Sequence, residues 1–102
     1  VTRLASEDPI IGMLEDCEFH DRSVPLAGGD LLCFYTDGVQ EARNAQDEMF
    51  GVRGIEGTVI RNRNSDLESV ADALITGVIQ FMKDPVFEDD ITVVLGQVIE
   101  SL

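Results

Sequence analysis

Positive charge is scarce: seven lysines and arginines stand against 20 aspartates and glutamates in 102 residues, for a net charge of −13. A field of that sign repels nucleic acid and anionic lipid, which argues against both as partners. Histidine occurs once, as His20, and cysteine twice, as Cys17 and Cys33, with no C-x-x-C pair. A cysteine–histidine zinc site therefore lacks ligands. One Cys17–Cys33 disulfide is the most the chain can form, and Cys33, inside an apolar run, reads instead as a small buried hydrophobe. Thiols used in this way fit a reducing, cytoplasmic setting. No apolar run reaches the roughly 18–20 residues of a spanning helix, and no basic-then-apolar leader opens the chain. It opens on VTRLASEDP, a stretch expected within a longer polypeptide.

What is there fits an ordinary folded domain. Hydrophobic residues make up 44% and charged residues 26% of the chain, and a chain of this size buries roughly 60–70% of its extended surface on folding. That is enough for one core, or part of a larger one. Most of the carboxylates serve only to keep such a surface soluble, so any that do chemistry must be found by position.

Residues 1–16, broken by Pro9 and Gly12, read as loop or turn. Residues 17–24 (CEFHDRSV) alternate loosely and predict a half-buried strand. Pro25 to Asp30 is a turn, and Leu31 to Thr36 (LLCFYT) is an apolar run expected to form a central strand buried on both faces. The polar stretch VQEARNAQDEMFG predicts a loop with at most one helical turn. Val52 to Arg61 carries a weak helical spacing interrupted by Gly54 and Gly57. Ser65 to Met82 is the strongest helix: Ser65 and Glu68 make a capping box, and Leu67, Val70, Ala71, Leu74, Val78, Phe81 and Met82 fall on one face. Asp84-Pro85 stops it, and Ile91 to Ile99 (ITVVLGQVI) is a β-branched strand. The expected class is α/β (α+β).

Two acidic motifs flank the two best strands: Thr36-Asp37-Gly38 follows the first, and Asp89-Asp90-Ile91-Thr92 opens the second. If the strands are antiparallel neighbours, these carboxylates converge, and converging carboxylates repel unless a cation lies between them. Oxygen-only donors suit Mg²⁺ or Mn²⁺ better than Zn²⁺, and Gly38 lets the chain turn away without a Cβ in the site. Spacing alone leaves the alternative open, since Asp-Gly after a strand is commonly a plain turn. Other motifs fail. A haloacid-dehalogenase-type phosphatase needs Asp where Val39 stands, residues 37–48 do not spell an EF-hand, and Gly28-Gly29-Asp30 is followed by Leu31 rather than the acid of a diguanylate cyclase. Neither a P-loop nor a nucleophile elbow is present.

The ordered set Gly29-Asp30-Leu31-Leu32, Tyr35-Thr36-Asp37-Gly38-Val39, Glu41-Ala42-Arg43-Asn44, Phe50-Gly51 and Asp89-Asp90-Ile91-Thr92-Val93-Val94 resembles the metal-dependent protein phosphatases (PPM, or 2C-type) in their bacterial SpoIIE-like branch. Ile11-Gly12-Met13-Leu14 resembles an upstream stretch of the same family, so the likeness covers about residues 10–99. The resemblance implies part of an αββα sandwich with a mainly antiparallel sheet and a serine/threonine phosphatase activity at a binuclear Mn²⁺ or Mg²⁺ centre. Carried over by motif, Asp37 and Asp89 are metal ligands, with Gly38 and Asp90 in support. The family's other metal motif, an Asp-Gly in a Gly-rich segment, has no counterpart before residue 30. Residues 1–102 are therefore expected to be the C-terminal portion of a PPM-type domain, inactive in isolation.

The resemblance further implies a phosphorylated protein substrate, such as a STAS-type anti-anti-sigma factor. A second reading, from a different class, is a non-catalytic interaction module that keeps the fold without the chemistry. Half a sandwich would also leave apolar surface uncovered, namely the stripe from Leu67 to Met82 and one face of the central strand, and so favour a homodimer.

Overall fold

A computed structural model describes residues 1–82 and 90–99. The apolar run forms strand β1 (Leu31–Tyr35), and the C-terminal β-branched run forms strand β2 (Val93–Gln97). Between them lie helices α1 (Asp37–Gln40), α2 (Gly51–Arg61) and α3 (Leu67–Met82). The strands pair antiparallel, with Leu31 opposite Gln97, Cys33 opposite Leu95 and Tyr35 opposite Val93. Backbone bonds from Thr36 N–H to the Thr92 carbonyl (3.1 Å) and from Val98 N–H to the Asp30 carbonyl (2.8 Å) continue the pairing past both ends. The fold is α+β with an antiparallel sheet, as the sequence predicts.

Because side chains alternate along a strand, the sheet has two unlike faces. Cys33, Tyr35 and Val93 pack against the core formed by Val39, Ala42, Ile55, Leu74, Val78 and Met82. On the other face Phe34 is 59% exposed and its cross-strand partner Val94 57%. The expected burial of β1 on both faces therefore fails, because among the described residues the core lies against one face only. Burial raises the pKa of the Cys33 thiol above its ordinary value, and both cysteines are free.

The α3 stripe is covered within the chain rather than left bare. Val70, Leu74 and Val78 are fully buried and Met82 nearly so. The glycines that weaken α2 as an isolated helix are filled by their neighbours. The Phe50 ring lies 2.9 Å from where a Gly54 Cβ would stand, and the Arg61 guanidinium 3.1 Å from that of Gly57. Phe50 also meets Phe81 edge-on, with ring centroids 5.4 Å apart, so tertiary packing outweighs the poor helix propensity of Gly.

Helix α3 is capped one residue later than the sequence suggests. The Asp66 carboxylate, not the Ser65 hydroxyl, accepts the Ser69 N–H at 2.7 Å. Its expected stop at Asp84-Pro85 lies outside the described residues. The bonds from Ser69 hold the Asp66 carboxyl below its ordinary value of 3.8. A depressed carboxylate contributes stability that is present above its unfolded-state value and is lost as pH falls through the lowered folded one. Asp66→Asn, which caps as well but does not titrate in this range, is expected to flatten that part of the acid-unfolding profile followed by circular dichroism. An unaltered acid limb would remove Asp66 as its source.

Residues 17–24 form no strand. Their alternation has no neighbouring strand among the described residues to satisfy it, and Phe19 remains 52% exposed. The N-terminal segment is tied down by side chains instead. Arg3 pairs with Glu56 on α2 at 3.0 Å, and the Asp8 carboxylate accepts the His20 backbone N–H at 2.7 Å and meets its ring Nδ1 at 2.8 Å.

Candidate functional site

Thr36 leaves β1 in extended conformation (φ −88°, ψ 161°), and Asp37 opens the single turn of α1. That turn is anchored by Val39, which is fully buried. It is closed by backbone bonds from Val39 N–H to the Thr36 carbonyl (3.0 Å) and from Glu41 N–H to the Asp37 carbonyl (2.8 Å). One buried valine thus fixes a turn whose first residue, Asp37, stays exposed at the sheet's end.

Antiparallel pairing brings the second acidic segment to the same end. With Tyr35 opposite Val93, Thr36 faces Thr92, whose N–H donates to the Thr36 Oγ1 at 3.0 Å. The Thr36 hydroxyl donates in turn to the Asp90 carbonyl at 3.4 Å. That carbonyl lies against Gly38: a Cβ there would stand 2.5 Å from the Asp90 oxygen and 3.1 Å from Ile91 Cγ2. Gly38 is needed for close approach, rather than for an unusual φ.

Asp37, Gly38 and Asp90 therefore gather at one point of the fold. Asp89 lies outside the described residues. Among the described residues neither Asp37 nor Asp90 is in an ion pair; the pairs present join Arg3 to Glu56, His20 to Asp8 and Glu18, and Arg43 to Asp47. The donors are hard carboxylate oxygens with no cysteine or histidine among them, which suits Mg²⁺ or Mn²⁺. They are incomplete as a cage, since no group of three or more His, Cys, Asp or Glu among the described residues is placed to hold a metal. A cavity of about 640 Å³ beside β1 and α2, lined by residues that include Arg3, Phe34 and Arg63, contains neither Asp37 nor Asp90.

The remaining motifs hold the scaffold. Ala42 is buried, Arg43 bridges to Met49 across a small loop, and the Asn44 side-chain oxygen accepts the N–H groups of Gln46 (3.0 Å) and Glu48 (2.9 Å). Phe50 N–H then donates to the Ala42 carbonyl at 2.7 Å, and Gly51 takes the φ of +70° that lets α2 begin. Thr36 and Thr92 were given no role by sequence reasoning. Their signal was present as a threonine immediately before Asp37 in one motif and two positions after Asp90 in the other.

The profile of one protein family, described as Stage II sporulation protein E (SpoIIE), matches residues 1–98. The chain belongs to the SpoIIE family. Its motifs thus sit in the phosphatase-type domain that they resemble. Protein IcfG of Synechocystis sp. (strain PCC 6803) is 32% identical over 92 residues, which cover 90% of this chain and 14% of that protein. The chain therefore spans a small part of the length of this relative. No solved structure matches it. Among the described residues no helix is long and apolar enough to cross a membrane.

Proposed function

We propose that the chain forms part of a metal-dependent serine/threonine protein phosphatase in which Asp37 and Asp89 are metal ligands and Asp90 supports them. The observation that carries this reading is the convergence of Thr36-Asp37-Gly38 with Asp90-Ile91-Thr92 across the antiparallel register. Two carboxylate segments meet there, and among the described residues neither Asp37 nor Asp90 has a basic side chain in an ion pair. Bound Mn²⁺ or Mg²⁺, two ions in a complete domain, would neutralise phosphoryl charge and make water a nucleophile at neutral pH. The chain's own part is to hold carboxylates at a fixed sheet end and to let Gly38 bring the second segment close. The substrate class is a phosphoserine or phosphothreonine protein, with a STAS-type anti-anti-sigma partner as the specific proposal, in bacterial partner switching in the cytoplasm.

A second reading is an interaction module that keeps the fold without turnover; among the described residues the donors number fewer than three. Phosphate release from p-nitrophenyl phosphate and a phosphoserine protein, with Mn²⁺ and with EDTA, separates the two. The whole protein is expected to turn over only with the metal, and residues 1–102 alone are expected to be inactive. No metal-dependent turnover by the whole protein would favour the module, and full turnover by residues 1–102 would overturn the claim that the donor set is incomplete.

A further inference from the structure

We infer that Thr36 is a positioning residue for the acidic site, a role that rests on the metal-binding reading above. Its hydroxyl is the one side-chain group among the described residues that bonds both to the Thr92 N–H (3.0 Å) and to the Asp90 carbonyl (3.4 Å). Its own N–H donates to the Thr92 carbonyl at 3.1 Å. Thr36 thus fastens the segment entering β2 at three points, immediately before Asp37. Two of those three bonds vanish with the hydroxyl.

The arrangement is a latch rather than general packing. Thr36 is exposed and contributes nothing to the apolar core. The Asp90 carbonyl it contacts is the atom that reaches within 2.5 Å of the Gly38 Cβ position, so hydroxyl and glycine both meet the same oxygen. The hydroxyl accepts the Thr92 N–H at an ordinary length and reaches the Asp90 carbonyl at a long one, and the position of the Asp90 backbone sets where that residue's carboxylate begins.

The test uses the whole protein that carries this chain, with Thr36→Val, which keeps shape and β-branching but loses the hydroxyl, and Thr36→Ser, which keeps it. Two readouts are needed: hydrogen exchange of the Thr92 amide without metal, and Mn²⁺ affinity by calorimetry. Thr36→Val is expected to speed Thr92 exchange and weaken Mn²⁺ binding by about tenfold each, and Thr36→Ser to restore both. Faster exchange with unchanged Mn²⁺ affinity would overturn the positioning role, as would no change in either. A wild-type protein that binds no Mn²⁺ would defeat the metal-binding reading itself, a different result. Should Thr36→Val fail to fold, Thr36→Ala reads the same loss.

Discussion

An Asp37→Asn protein is expected to keep its fold and lose metal-dependent phosphatase activity by roughly a hundredfold or more. The Asp37 side chain makes no hydrogen bond or ion pair among the described residues, and it lies at an exposed position. Its replacement removes a charge without removing a contact, so thermal stability without metal should change by no more than about 0.5 kcal/mol. Relief of repulsion with the neighbouring acidic segment makes a small gain the expected sign. With Mn²⁺ the order reverses: the ion stabilises the wild type by mass action and the variant far less. Melting curves with and without Mn²⁺, beside the activity assay, read both effects. Unchanged activity would remove Asp37 from the site.

Gly38→Ala tests the approach of the second segment. Within a helix this change ordinarily gains up to about 1 kcal/mol. Here the new Cβ would stand 2.5 Å from the Asp90 carbonyl oxygen, a backbone atom held by the Thr36 hydroxyl, and 3.1 Å from Ile91 Cγ2. Overpacking of this kind costs about 1–3 kcal/mol, so the steric term wins and the net effect is destabilising by about 1–2 kcal/mol. For a domain of this size that is roughly 4–15 °C in Tm. Metal-dependent activity should fall more steeply than stability, because the strain is relieved by moving Asp90 away from Asp37. A raised Tm would show that the loop before β2 yields and that glycine is dispensable there.

The parts of the fold legible in the sequence are those where one local pattern and one tertiary demand agree. Leu31 to Tyr35 and Val93 to Gln97 are apolar runs that find each other as strands, and their antiparallel pairing was the condition for convergence of the two acidic motifs. Patterns without such a partner misled. Residues 17–24 alternate like a strand but have no neighbouring strand among the described residues. Ser65 and Asp66 are both good caps, and only the position of the Ser69 N–H decides between them. Gly54 and Gly57 argued against helix α2, which stands because Phe50 and Arg61 lie over them. At the site, Asp37 and Gly38 were legible as a motif, whereas the Thr36 hydroxyl was not. Its two bonds join residues far apart in sequence, and no local propensity encodes them.

That separation gives the register of the two strands a kinetic meaning. The bond from Thr36 to Asp90 spans 54 positions of sequence, and contacts of such range form late and slowly, because loop-closure entropy must be met before they are rewarded. The α2–α3 pair can assemble from local contacts, whereas the acidic site exists only once β2 has docked on β1. Metal affinity would then report completion of folding. A chain trapped short of that last pairing would retain its helices and show no affinity for the ion.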